Sequence, residues 1–138
     1  MAPATRSINT PELSAPITSL PVAGSTIIFA GTLVAANAAG YAVPAADVDG
    51  LTVIGRAEAD CDNRSGAAGD LTVIVAQGIF KYATPADEAK VTIADTGKVV
   101  YVLDDQTVGK TSTKSVAAGR VIRVDGDGIY IDTAHRTE

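Results

Sequence analysis

From Val22 onward, the chain consists of short apolar runs separated by glycine, aspartate and other turn-forming residues. This spacing is typical of an all-β fold. Residues 120–124 and 128–132 alternate apolar with polar side chains, which predicts strands with one solvent-facing side. The run LTVIVA at 71–76 is apolar almost throughout, which predicts burial on both faces. We expect about eight strands, drawn from residues 26–30, 32–35, 41–43, 52–58, 71–76, 78–82, 98–103, 120–124 and 128–132.

The pattern gives little support for helices. Only PADEAKVTIAD at 85–95 combines an initial proline, early acidic residues and good helix formers. We therefore expect at most one short helix of one or two turns. The predicted fold is a compact β domain, resembling a sandwich or a barrel, over residues 22–138.

The first 21 residues differ in composition from the rest of the chain. They hold four of the six prolines, spaced so closely that no helix can form and each preceding residue is extended. Residues 1–21 are thus predicted to form an extended arm. A disordered tail is the alternative interpretation. The apolar residues between the prolines are the predicted anchors on a partner surface: Ile8, Leu13, Ile17 and Leu20.

Composition narrows the range of partners. With 138 residues, the chain suits one domain that buries roughly 68% of its unfolded surface. Aromatic residues are only 4% of the chain and tryptophan is absent, so valine, isoleucine, leucine and alanine must fill the core. A net charge of −5 offers no basic surface for a phosphate backbone, and we expect no nucleic-acid partner.

Cysteine and histidine are each present once. Cys61 has no second cysteine for an internal disulfide. Cys61 and His135, which is near the C-terminal end, are two ligands at most, too few for a Cys/His zinc site. Cys61 is predicted to be a small buried residue.

Residues 27–38 imitate the apolar region and cleavage site of a signal peptide. The segment before them is too long and too rich in proline for that interpretation. Glycines and hydroxyl side chains also interrupt every apolar run that could span a bilayer. We expect a chain made in the cytoplasm with no membrane partner.

Two polar motifs resemble ligand sites. GKTS at 109–112 suggests a phosphate-binding loop, but Asp104 stands where that loop requires its first glycine. DGDG at 125–128 suggests a calcium loop, but Ile129 stands where an oxygen ligand is needed. The predictions are a polar loop for GKTS and a tight hairpin with positive φ at its centre for DGDG.

The segment that starts with DCDN at Asp60 fails the calcium pattern as well, since Arg64 stands at the third ligand position and Leu71 stands where a bidentate acid is needed. The polar loop DNRSGAAGD at 62–70 is predicted to be a turn in which Asp62 and Asn63 cap local amides. His135 lies too near the chain end to act as a general base, and the acidic pairs at 104–105 and 125/127 fall in predicted turns. The residues therefore predict no catalytic, cofactor or metal site, and favour a binding or structural role.

The order of the apolar runs and glycine-bearing turns along the chain resembles that of the capsid decoration, or cement, proteins of tailed bacteriophages. These proteins were long catalogued as a phage domain of unknown function. The likeness covers roughly residues 22–132. The most specific pieces are Asp62-Asn63 with Gly66 and Gly69-Asp70, the run Tyr101-x-x-Asp104-Asp105-x-Thr107-Val108, and the hairpin from Gly119 to Ile131.

The resemblance implies a homotrimer on the outer surface of the icosahedral head, where it bridges neighbouring major capsid proteins and stabilises the shell. The expected partners are the major capsid protein and the chain itself. The apolar excess of LTVIVAQGIF at 71–80 favours a trimer interface at Ile74, Ile79 and Phe80. An ordinary monomer core is the alternative for these three residues.

Two other classes remain open. A trimeric nucleotide hydrolase with dUTPase-like architecture would need an activating aspartate beside a tyrosine and a phosphate-binding set that the sequence does not supply. A phage receptor- or glycan-binding module would normally expose aromatic rings, and this chain has two phenylalanines and four tyrosines.

Overall fold

The computed structural model describes residues 2–10 and 17–137. These residues form an all-β fold with one 3₁₀ turn, Ile93–Asp95, and no α-helix. The strands are β1 (Ile17–Pro21), β2 (Thr26–Ile28), β3 (Leu33–Ala36), β4 (Ala42–Pro44), β5 (Thr52–Ala57), β6 (Cys61–Asn63), β7 (Thr72–Ala76), β8 (Ile79–Tyr82), β9 (Val99–Asp104), β10 (Thr107–Gly109), β11 (Ala117–Asp125) and β12 (Gly128–Asp132).

The strands form two five-stranded sheets and one two-stranded ribbon. The first sheet has the order β1-β7-β5-β3-β4, the second has the order β10-β9-β11-β12-β8, and β2 pairs with β6. Every ladder between strands is antiparallel. The chain crosses from the first sheet to the second between β7 and β8, which are separated by only Gln77 and Gly78.

Both five-stranded sheets curl so that their two ends approach each other. In the first sheet, Val22, which follows β1, makes an isolated bridge to Ala42 of β4. In the second sheet, Ala83, which follows β8, makes an isolated bridge to Thr107 of β10. The ends of each sheet are joined by an isolated bridge and not by a ladder of hydrogen bonds, so neither sheet closes into a barrel.

Two apolar cores hold the sheets together. The larger core lies between the second sheet and one face of the first sheet, and the smaller core lies under the first sheet and the β2–β6 ribbon. β-branched side chains fill most of both cores, as the low aromatic content predicts. Burying each such side chain contributes about 1.5–3 kcal/mol. The larger core contains Leu33, Ala35, Ala45, Val53, Tyr82, Val91, Val100, Val102, Val108, Val116, Ala118, Val121, Ile129 and Ile131. The smaller core contains Val22, Ile28, Val34, Ala42, Ala57, Cys61, Val73 and Val75.

The prediction of an all-β fold is confirmed, and so is the buried position of Cys61. Three strands were not predicted: β1 lies in the expected arm, while β6 and β10 lie in segments interpreted as loops. Pro21 fits the end of a strand at a sheet edge, where a missing N–H costs little. The rest of the arm prediction stays a prediction, since residues 11–16 lie outside the described residues.

Two local predictions are corrected. Residues 71–76 are not buried on both faces, because Leu71 and Ile74 are exposed while Val73 and Val75 are buried. The DGDG hairpin is confirmed, with Asp125 opposite Gly128. However, Gly126 is not among the residues with positive φ, so the turn closes without the left-handed conformation that the sequence argument required.

Candidate interaction surface

The polar motifs of the sequence use their side chains within the domain. In the turn after β6, the Asp62 carboxylate accepts hydrogen bonds from the Arg64 guanidinium (2.7 and 2.9 Å) and from the Arg64 amide (3.1 Å). The hydrogen bond from the Arg64 side chain lowers the pKa of Asp62 to about 2. The predicted capping role of Asp62 is confirmed.

Asn63 has a different role from the one predicted. Its side chain is buried, and Nδ2 donates to the carbonyl oxygens of Val22, Ala23 and Ala67 at 3.0–3.3 Å. Asn63 therefore satisfies carbonyls rather than amides, and it fastens the 62–70 turn to the chain after β1. A Cβ at Gly66 would lie 2.1 Å from Asn63 Oδ1, so this packing requires glycine there.

The segment after GKTS is also held by an internal carboxylate. Asp47 accepts hydrogen bonds from the amides of Thr113 (3.0 Å) and Lys114 (2.7 Å). An anion that approached these amides would meet this carboxylate. The predicted polar loop is present, although Gly109 itself belongs to β10.

The DGDG hairpin carries an ionic row across the outer face of the second sheet. Asp125 pairs with Arg123 at 2.8 Å, and Asp127 pairs with Lys81 at 2.9 Å. Both cations flank the ring of Tyr130, at 5.3 and 5.9 Å from its centroid. Each of these four charges thus has an opposite charge beside it.

Other candidate chemical groups are dispersed. His135 Nδ1 lies 2.7 Å from Asp132 on the exposed surface. Within residues 2–10 and 17–137, no group of three or more histidine, cysteine, aspartate or glutamate side chains could hold a metal ion. A surface depression of about 540 Å³ lies between residues 83–93 and the DGDG hairpin, and its only charged linings are Lys90, Asp125 and Asp127.

Exposed apolar side chains supply the most distinctive surface feature. Among the described residues, the large hydrophobic residues with more than 40% of their surface exposed are Ile8, Ile17, Phe29, Val48, Leu71, Ile74, Ile79, Ile93 and Ile122. Two of them, Ile17 and Ile74, are diagonal neighbours in the β1–β7 ladder. We call these two residues the apolar patch.

Strand register places the apolar patch. Ile17 of β1 lies opposite Ala76 of β7, and Ala76 lies opposite Arg56 of β5. Residues directly opposite one another share a face of the sheet, and so do residues two apart in a strand. Ile17 and Ile74 therefore share one face of the first sheet. Ile79 is not part of the patch, because it alternates with the inward-facing Phe80 and shares the outer face of the second sheet with Lys81.

The second sheet borders the patch through an aromatic ring. The Arg56 guanidinium lies 4.0 Å from the Phe80 ring centroid and also pairs with Glu58 at 2.8 Å. Phe80 is partly buried against the larger core. The Phe80 ring thus packs on the face of the first sheet that carries Ile17 and Ile74, which are 46% and 49% exposed.

The predicted binding residues lie on different parts of the structure. Ile74 is exposed in the apolar patch and Phe80 packs beside that patch, whereas Ile79 is exposed on the outer face of the second sheet. Of the predicted arm anchors, Ile17 belongs to the patch, Ile8 is 69% exposed, Leu20 packs partly against the smaller core, and Leu13 lies outside the described residues. Sequence reasoning did not find Arg56, whose role depends on a ring 24 positions further along the chain.

No family model, no curated protein and no solved structure matches the chain. None of the described residues belongs to a helix long and apolar enough to cross a membrane. The proposal for function therefore depends on the surface itself and on the resemblance in segment order.

Proposed function

We propose that the protein is a structural virion protein: a homotrimeric capsid decoration protein that binds the outer surface of a tailed-phage head and bridges its major capsid proteins. The observation that carries the proposal is the apolar patch of Ile17 and Ile74, which the partly buried ring of Phe80 extends. Isolated exposed hydrophobic residues are ordinary on protein surfaces, whereas a contiguous group marks an interaction site.

The patch supports self-association, because its residues are held by regular strands. Ile17 and Ile74 lie in the β1–β7 ladder, so their side chains present a fixed surface rather than a flexible one. Fixed apolar surfaces lose little conformational entropy on binding. This favours a permanent contact between copies.

The N-terminal segment supports binding to the shell. Residues 2–10 are exposed throughout, and Ile8 projects an apolar side chain. β1 begins at Ile17, so the N-terminal segment joins the domain at the apolar patch. A segment that starts there and extends up to about 3.5 Å per residue would reach beyond the domain to a second subunit. Extended segments of this kind bind by adding to an open sheet edge of the partner.

Stabilisation of the shell would follow from differential binding. A protein that binds the mature shell more tightly than the broken shell shifts the equilibrium toward the intact form by mass action. Three N-terminal segments on one trimer also act together, so modest individual affinities give strong overall binding. No covalent step is needed.

Sedimentation with undecorated phage heads tests the proposal. We expect a trimer that co-sediments with the heads. Deletion of residues 2–10 should leave the trimer intact and abolish co-sedimentation, while a chain with the same nine residues in scrambled order should also fail to bind. The deletion spares β1, whose removal would open the first sheet. A monomeric wild-type chain with no affinity for heads would overturn the proposal.

A further inference from the structure

β1 has an open backbone edge whose free groups can be assigned from the ladder. The Val22 amide donates to the Leu71 carbonyl at 2.9 Å, in register with the β1–β7 ladder. Hydrogen-bonded and non-hydrogen-bonded pairs alternate along an antiparallel ladder. The backbone groups of Thr18 and Leu20 therefore point toward β7, and those of Ile17 and Ser19 point outward. Pro21 follows on the outward side, where it needs no donor.

β8 has an open edge of the same length. The Thr133 amide donates to the Gly78 carbonyl at 2.9 Å, in register with the β8–β12 ladder. By the same alternation, Phe80 and Tyr82 point toward β12, while Ile79 and Lys81 point outward. Ala83, the next outward residue, bonds to the backbone of Gln106 and Val108. This bridge ends the open edge of β8, as Pro21 ends that of β1.

The outward groups of these four residues have no hydrogen-bond partner within residues 2–10 and 17–137. Edge strands with unpaired amides and carbonyls are templates for pairing with another chain. Each open edge also begins with an exposed isoleucine, Ile17 on β1 and Ile79 on β8.

Charge favours a second copy of the chain as the occupant. Each copy carries a net charge of −5 and 16 acidic residues, so two copies repel each other over most of their surfaces. Residues 13–46 and 71–86 contain no acidic residue, and these two segments hold the open edges. Contact at these edges therefore brings together strands that carry no acidic side chain of their own.

We propose that neighbouring copies join by strand addition, with β1 of one copy pairing with β8 of the next. The inference rests on the proposed homotrimer and specifies its contact. Pairing two different edges is a head-to-tail contact, which generates a closed ring when the rotation between copies is suitable. A three-membered ring uses all six open edges and covers Ile17 and Ile79 of every copy.

Proline substitution tests the pairing, because proline removes an outward amide without disturbing the inward ladder. We expect Ser19→Pro and Lys81→Pro each to raise the dissociation constant of the trimer at least a hundredfold in analytical ultracentrifugation. The matched variants Ser19→Ala and Lys81→Ala keep the amide and should stay within threefold of wild type. Proline variants that assemble like their alanine partners would overturn the strand pairing.

Hydrogen exchange on the wild-type trimer tests the pairing without a mutation. The amides of Ile17, Ser19, Ile79 and Lys81 should exchange at least a hundredfold more slowly in the trimer than in the monomer obtained by dilution. A trimer in which these amides exchange freely would overturn the inference and leave the proposed function standing. A chain that stays monomeric at every concentration would overturn the homotrimer itself.

Disulfide trapping identifies which edges meet. When Ser19→Cys and Lys81→Cys chains are mixed and oxidised, we expect disulfides between the two variants in preference to disulfides within either one. Cys61 is buried and is present in both variants, so it does not distinguish them. Disulfides found only between identical variants would show a two-fold contact and overturn the pairing of β1 with β8.

Discussion

The guanidinium of Arg56 stacks on the ring of Phe80 at 4.0 Å and so connects the first sheet to the edge strand of the second. Arg56 is also held by Glu58, whose carboxylate lies 2.8 Å away. The stack lies beside the apolar patch at the point where the chain passes from β7 to β8.

Loss of the Arg56–Phe80 stack should weaken the domain modestly. We expect Arg56→Gln to lower the free energy of unfolding by about 0.5–1 kcal/mol, the usual range for an exposed cation–π contact. Urea denaturation followed by circular dichroism measures this change. Glu58→Gln removes the ion pair but keeps the stack, and should cost less. Equal losses in the two variants would attribute the effect to the ion pair.

Replacement of Asn63 should be far more costly. Its Nδ2 group donates to three carbonyls, and Asn63→Ala removes all three hydrogen bonds. The carbonyls of Val22 and Ala67 still accept from the amides of Gly69 and Asp70, so the Ala23 carbonyl is the one that loses its donor. We expect a loss of about 1–3 kcal/mol in unfolding free energy, the usual cost of a buried polar group without its hydrogen bond.

Asn63→Asp provides the sharper comparison, since it keeps the shape of the side chain. It replaces the donor Nδ2 with a carboxylate oxygen, which would face three carbonyl oxygens. It should destabilise the domain at neutral pH more than Asn63→Ala does, as measured by thermal and urea unfolding. Asp62→Asn, at the exposed neighbouring position, is the control and should cost little. An Asn63→Asp domain as stable as wild type would contradict the donor role of Asn63.

A charge within the apolar patch should block assembly without unfolding the domain. Ile74 is 49% exposed, so Ile74→Lys can direct its ammonium group to solvent in the free chain. We expect a folded monomer by circular dichroism and sedimentation velocity. Ile122→Lys changes an equally exposed isoleucine on β11 and should remain trimeric. Retention of the trimer in Ile74→Lys would exclude the patch from the interface.

Tyr82 should make stability fall at alkaline pH. Burial raises the pKa of Tyr82 well above its usual value, and its hydroxyl donates to the Gly31 carbonyl at 2.9 Å. The folded state thus keeps its proton when the unfolded state loses it, above about pH 10. The contribution is complete below that pH and declines by about 1.4 kcal/mol per pH unit above it.

Tyr82→Phe tests this linkage directly. The variant should lose about 1 kcal/mol at pH 7 through the missing hydrogen bond, and its stability should decline less steeply than that of wild type between pH 10 and 11.5. Urea unfolding at several pH values gives both quantities. Parallel declines in the two proteins would assign the alkaline loss to other groups.

Local sequence determined the parts of this fold that depend on neighbouring residues. The alternation on both sides of DGDG fixed a hairpin, because two strands joined by a two-residue turn need only their own side chains to set the register. The β-branched runs fixed the all-β class for a similar reason. The sequence at 85–95 also predicts at most one short helix, and the structure has a single 3₁₀ turn there, Ile93–Asp95.

Tertiary structure alone decided the features that depend on distant residues. β6 and β10 are too short and polar to show in the pattern, and each exists because a partner strand supplies its hydrogen bonds. Asn63 became a donor because Val22, 41 positions away, brings its carbonyl there. Ile74 stayed exposed because the second sheet does not extend over the β1–β7 end of the first, and no local pattern encodes how far one sheet covers another.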